Sequence, residues 1–132
     1  MESIEIEVRN GQRLVTDVTD EVEGFCRGRG DGLVNVFVPH ATAGVALIET
    51  GSGSERDLAA TLDALFPRDR PYRHAHGSAG HGRDHLLPAF VSPSVTIPVL
   101  DGVPQLGVWQ RLVLVDTNGD NPVRRIRFSL LG

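Results

Sequence analysis

Residues 94–103 of the chain read SVTIPVLDGV, and this stretch decides the class of fold. Val95, Ile97 and Val99 recur every second residue, which is the period of a half-buried β-strand. The pair that follows, Asp101–Gly102, is favoured in the two-residue turn of a β-hairpin. The stretch therefore predicts an antiparallel pair of strands.

The same alternation occurs at both ends of the chain. Apolar residues alternate with charged or polar ones over residues 4–8 and again over residues 126–130. Short apolar runs at residues 33–38 and 44–48 predict two further strands, and residues 106–115 predict one or two more. These patterns predict about seven strands.

Helical spacing of apolar residues appears in two segments. The first helix is expected to begin after Thr16 or Asp17, and the second at Ser54. Their expected buried faces are formed by Val18, Val22, Phe25 and Cys26 in the first, and by Leu58, Leu62, Leu65 and Phe66 in the second. A short third helix is expected over residues 85–91. The fold class is therefore α+β, a mixed, largely antiparallel β-sheet with two or three helices, in a single domain over residues 1–132.

Composition excludes several classes of protein. The 132 residues are 40% hydrophobic and carry a net charge of −4, so we expect a folded domain that is not a nucleic-acid-binding protein. There is no apolar run of the length that crosses a membrane, and the acidic start of the chain is unlike a signal peptide. Cys26 is the single cysteine. These features favour a cytoplasmic protein with no membrane partner.

The histidines are the strongest chemical signal. His74, His76, His81 and His85 lie within twelve residues of one another, and His40 lies at the expected end of a strand. Neutral imidazole is a good ligand for zinc and similar metals, and three such ligands leave a position open for water or substrate. A solvated histidine-rich loop is the alternative interpretation, and composition alone leaves both open.

Other polar residues have a functional and a structural interpretation each. Glu49 and Asp57 flank a Gly/Ser loop at residues 50–54, where a carboxylate could serve as a general base or orient a histidine, or could be a helix cap or surface charge. Arg124 and Arg125 could hold a phosphate or simply be solvated. The remaining candidate is Trp109–Gln110, in which the ring could stack on a flat ligand or belong to the core.

Several motifs in order resemble one known family, the YjbQ-like proteins, described as secondary thiamine-phosphate synthases. The resemblance runs from about residue 4 to the end of the chain. It is carried by His40–Ala41–Thr42–Ala43–Gly44, Glu49, Tyr72–Arg73–His74, His85–Leu86, Ser94–Val99, Leu106–Gln110 and Arg124–Arg125.

The resemblance implies a homotrimer with a site for a divalent metal, zinc in the first instance, ligated by His40, His74 and His85. Glu49 and Asp57 are the candidate catalytic carboxylates, either as proton carriers or as orienting groups. His81 is either a fourth ligand or a substrate contact, and His76 matches no motif. The expected substrate-binding residues are Thr42, His81, Trp109, Gln110, Arg124 and Arg125.

Two functions are compatible with these residues. The first is a metal-dependent enzyme with thiamine-phosphate-synthase-like activity, or a hydrolase of phosphate esters, acting on a small phosphorylated molecule. The alternative is a trimeric module that binds a metal or an anion without catalysis.

Overall fold

The computed structural model describes all residues from Met1 to Gly132 and contains two α-helices and eight strands. The helices are α1 (Thr19–Cys26) and α2 (Ser54–Leu65). The strands are β1 (Glu2–Arg9), β2 (Val15–Asp17), β3 (Gly32–Phe37), β4 (Ala43–Ile48), β5 (Ser94–Leu100), β6 (Val103–Pro104), β7 (Arg111–Asp116) and β8 (Val123–Leu131). The α+β class is confirmed.

Five strands form an antiparallel sheet in the order β1-β8-β3-β5-β6. The first and last strands of the chain, β1 and β8, pair along the whole length of β1, so that Ile6 lies opposite Ile126. The β5–β6 hairpin turns at Asp101 and Gly102, as predicted, and both residues have positive φ, 50° and 74°. A type I′ hairpin turn requires positive φ at both central positions, which explains the Asp–Gly pair.

The remaining strands form a second antiparallel sheet in the order β2-β7-β4. The predicted sheet is thus two sheets, which share one core of 17 buried residues with α1. The expected inner face of α1 is confirmed, since Val22, Phe25 and Cys26 are all buried. Residues 106–110, predicted as strand, form a loop before β7.

The outer face of the three-stranded sheet is covered by α2 and the segment after it. Leu62, Phe66 and Leu87 pack there against Val113 and Val115. Leu65, expected on the buried face, is 56% exposed, so that prediction was wrong. Neither helix has the length and apolar character needed to cross a bilayer.

Two 3₁₀ turns, His81–Arg83 and Leu87–Ala89, take the place of the helix predicted over residues 85–91. The buried Arg83 ties the first turn to the end of α2, because its guanidinium donates to Asp63 at 2.6 Å and to the Phe66 carbonyl at 3.2 Å. The fold thereby fixes one side of the histidine-rich segment against a rigid helix.

Candidate metal centre

Three histidines converge beside the end of α2. His74, His81 and His85 each present one ring nitrogen, and these three atoms lie within 4.8 Å of one another. The Nε2 atoms of His81 and His85 are 2.9 Å apart, and the ring centroids of His74 and His85 are 4.0 Å apart. This is the spacing expected of ligands to one ion.

The local backbone explains why His81 and His85 meet. Two side chains four residues apart face the same way only on a helical backbone. Because Gly82 lies between these histidines, the sequence did not predict a helical turn that begins as early as His81. The 3₁₀ turn nevertheless begins at His81, whose carbonyl accepts a hydrogen bond from the Asp84 amide at 3.0 Å. The turn continues to His85 and brings the two rings together.

Gly82 also allows the loop that carries His74 to approach the turn. A Cβ at position 82 would lie 2.5 Å from Cβ of Tyr72 and 2.8 Å from the His74 carbonyl oxygen, both of which are too close for any side chain. His74 therefore depends on a glycine eight residues later in the chain.

Two carboxylates face the other nitrogen of His81. Its Nδ1 lies 3.5 Å from Oδ2 of Asp84 and 3.6 Å from Oδ2 of Asp120. Both this Nδ1 and the Asp84 Oδ2 are buried without a hydrogen-bond partner. A carboxylate behind a histidine is the usual arrangement around a protein-bound metal, because it orients the ring. Sequence reasoning missed both residues, although Asp84 directly precedes His85.

The charge state of the site also suits a cation. Burial lowers the pKa of His85, and the neighbouring imidazoles of His74, His81 and His76 lower it further. His85 is therefore neutral at neutral pH, as metal ligation requires.

The residues fit a tetrahedral zinc ion. Bonds of 2.0–2.1 Å to three nitrogens place those nitrogens roughly 3.3 Å apart, which lies between the distances found here. The Nδ1 of His74 is buried and unpartnered, so a ligand atom is available there as well. His76 stacks beside His74, with ring centroids 4.0 Å apart, but is exposed and outside the group of three.

Comparison with known proteins identifies the family of this chain. The family model described as "UPF0047 protein YjbQ-like" matches residues 2–132. The chain belongs to the YjbQ-like family. UPF0047 protein Rv2556c of Mycobacterium tuberculosis is 60% identical to this YjbQ-like chain over 131 residues, covering 99% of the chain and 98% of the relative.

Solved structures of relatives have the same fold. A hypothetical protein of Aeropyrum pernix, APE1520, superposes with a TM-score of 0.89 at 32% identity, covering 100% of this chain and 99% of its own. The conserved hypothetical protein TT1486 of Thermus thermophilus gives a TM-score of 0.86 at 31% identity, with 97% and 99% covered. These names state no activity, so the family supports the fold and leaves the implied synthase activity without support.

His40 of this YjbQ-like protein lies outside the group of three histidines. Its Nε2 accepts a hydrogen bond from the Arg125 amide at 2.9 Å, so the lone pair that would bind a metal is occupied. Burial lowers the pKa of His40, as do the charges of Arg124 and Arg125. The single chain thus brings together two of the three implied ligands, and His81 is the third residue present.

Thr42 and Arg124, expected to bind substrate, are buried and bonded to each other. The Arg124 guanidinium donates to Asp116 Oδ2 at 2.5 Å and to Thr42 Oγ1 at 2.8 Å. Asn10 donates to the same Asp116 carboxylate at 2.8 Å. These polar groups form an internal network of the YjbQ-like fold, in which the Asp116 carboxylate accepts hydrogen bonds from both Arg124 and Asn10.

The other expected site residues lie on the surface and do not line the clefts beside the histidines. Arg125 pairs with Glu5 at 3.3 Å, and the Gln110 side chain accepts a hydrogen bond from the Gly107 amide. Trp109 is 70% exposed. Glu49 and Asp57 are also exposed and are not among the residues gathered at the metal centre.

Proposed function

We propose that the protein binds a divalent metal ion, zinc in the first instance, through His74, His81 and His85. One observation carries this proposal: three imidazoles meet within 4.8 Å, and two of them have buried nitrogen atoms with no partner. Leaving the buried Nδ1 of His74 unpaired costs free energy, and coordination of a cation by this atom would remove that cost.

The chain's own residues divide the work at such a site. The three histidines hold the ion, and Asp84 orients His81 through its Nδ1. Asp84 is itself fixed by Arg68, whose guanidinium lies 3.4 Å from its Oδ1. Three imidazole ligands would leave one coordination position of a zinc ion open, where the ion would supply Lewis-acid chemistry to a phosphate oxygen.

We therefore favour a metal-dependent enzyme that acts on a small phosphorylated molecule. Thiamine-phosphate-synthase-like transfer and hydrolysis of a phosphate ester are the two reactions proposed. Basic residues beside the histidines support an anionic substrate, because Arg70 and Arg73 line the same cleft as His74 and His85.

A non-catalytic metal-binding module is the second candidate. One observation favours it: Glu49 and Asp57, the expected proton carriers, do not line the clefts beside the histidines. In this form the same three histidines hold the metal, and no reaction follows.

A homotrimer is proposed as the assembly. The outer face of the five-stranded sheet exposes Leu33, Phe37 and Leu131, each at least 41% accessible. Burial of such side chains between copies would stabilise an oligomer. Sedimentation equilibrium measures this directly: the trimer mass supports the assembly, and a monomer mass at micromolar concentration contradicts it.

The test of the function combines metal analysis with turnover. Purified protein loaded with zinc is incubated with the two thiamine precursors and, separately, with a panel of phosphate esters. We expect a product in one assay and its loss in the double variant His81→Ala/His85→Ala. Equal rates for the variant and the wild type would contradict the enzyme, and zinc binding without turnover would select the non-catalytic module.

A further inference from the structure

A basic cleft lies against the proposed metal centre. It has a volume of about 370 Å³, and the residues that line it include Arg70, Tyr72, Arg73, His74 and His85. No aspartate or glutamate lines it. The cleft therefore brings together two guanidinium groups and two of the three proposed metal ligands.

The two guanidinium groups are free of carboxylate partners. Seven of the thirteen arginines form ion pairs, whereas Arg70 and Arg73 form none. Of the six arginines without an ion pair, Arg70 and Arg73 are the two that line this cleft. Their donors are available to a ligand.

Arg70 is nevertheless held in place. Its guanidinium carbon lies 5.3 Å from the centre of the Tyr72 ring, and the Tyr72 hydroxyl donates to the Pro67 carbonyl at 2.8 Å. Stacking on an aromatic ring orients the planar guanidinium without using its N–H donors. The group is thus positioned for forked hydrogen bonds to an anion.

We infer that Arg70 and Arg73 bind the phosphate group of a phosphate monoester in this cleft, next to the metal centre. The inference rests on the proposed function, since it names the residues that recognise its substrate class. Arg70 and Arg73 thereby take the phosphate-binding role that the sequence analysis gave to Arg124 and Arg125. Arg124 is buried in its bonds to Asp116 and Thr42, and Arg125 pairs with Glu5.

Calorimetric titration tests the inference in the presence of a chelator, so that no metal contributes. The probes are inorganic phosphate and phenyl phosphate at millimolar concentrations. We expect binding to the wild type, weakening by about three- to tenfold in Arg70→Ala and in Arg73→Ala, and loss in the double variant. Arg73→Lys keeps the charge and should retain part of the affinity.

Arg56→Ala is the matched control, because Arg56 is an exposed and unpaired arginine on α2, outside this cleft. It should bind both probes as the wild type does. Equal affinity in the wild type and in the Arg70→Ala/Arg73→Ala double variant would overturn the inference, as would absence of binding to the wild type.

A cobalt titration of the same variants separates this inference from the proposed function. We expect Arg70→Ala/Arg73→Ala to bind cobalt as the wild type does. If the wild type binds cobalt but neither phosphate probe, the inference fails and the metal centre stands. If it binds phosphate but not cobalt, the metal centre fails and the anion site stands.

Discussion

Two polar clusters of this molecule contain residues that the sequence analysis predicted to bind a ligand, and the two differ in the structure. The network of Arg124, Asp116 and Thr42 is buried, and its members are bonded to one another. The cluster of His74 and His81 is also largely shielded from solvent, but a nitrogen of each has no partner. The comparison teaches that the partners a polar group finds, rather than its residue type, distinguish the two clusters: a carboxylate pairs with Arg124, whereas three imidazoles face one another at the candidate metal centre.

The largest effect is expected from breaking the structural network. Asp116→Ala leaves the buried Arg124 guanidinium without its carboxylate, and we expect a loss of about 3–5 kcal/mol in the free energy of unfolding. Urea denaturation measures it.

The double variant Asp116→Leu/Arg124→Met is the control, because it removes both charges from the buried site. It should recover most of the lost stability, since apolar pairs often replace buried ion pairs without cost. A single variant as stable as the wild type would show that the network is not structural.

The next effect concerns the carboxylate behind the metal centre. Asp84→Asn keeps the shape of the side chain and removes the charge that faces His81 Nδ1 at 3.5 Å. We expect the affinity for zinc to fall by about ten- to a hundredfold, as for other residues that orient metal ligands. Competition with a chromophoric chelator measures the affinity, and Asp20→Asn, at an exposed position of α1, is the control. An unchanged affinity would remove Asp84 from the site.

A smaller effect is expected from pH through His40. Its pKa is lowered in the folded protein from the ordinary value of 6.5, so the unfolded chain binds protons more readily. The part of the unfolding free energy that depends on neutral His40 is fully present well above pH 6.5. It is lost as the pH falls below 6.5 toward the lower pKa of the folded state. Denaturation curves at pH 7.5 and 5.5 should therefore differ less in His40→Gln than in the wild type. An equal difference in both proteins would contradict the role of His40.

The smallest effect is expected at the surface. Arg125→Ala removes an exposed pair with Glu5, and we expect a change of less than about 1 kcal/mol in unfolding free energy. The hydrogen bond to His40 is retained because it comes from the Arg125 backbone amide. Thermal denaturation checks this prediction. A loss of unfolding free energy as large as that expected for Asp116→Ala would contradict the difference between exposed and buried arginines.

Much of the fold was predictable because strands and helices have local signatures. The alternation over residues 4–8, 94–99 and 126–130 gave the positions of three strands, and Asp101–Gly102 gave a hairpin turn. The division into two sheets depends on pairing between distant strands, such as β3 with β8, which has no local signature. Residues 106–110 were predicted as strand and form a loop, because β7 begins only at Arg111, where its pairing with distant strands begins.

The site was predictable in its histidines and not in its geometry. The density of histidines over residues 74–85 predicted a metal centre, and the presence of His81 rather than His40 in the proposed ligand set depends on a 3₁₀ turn that starts just before Gly82. The arginines near the end of the chain carried a phosphate-binding pattern, yet their partners Asp116 and Glu5 lie elsewhere in the sequence. Only the folded chain shows that these charges are already paired.

Zinc titration of four proteins tests the central claim most directly: the wild type, His81→Ala, His85→Ala and His40→Gln. We predict one zinc per chain in the wild type and in His40→Gln, and a loss of affinity of at least about a hundredfold in the two alanine variants. Full affinity in His81→Ala together with loss in His40→Gln would contradict the metal centre described above.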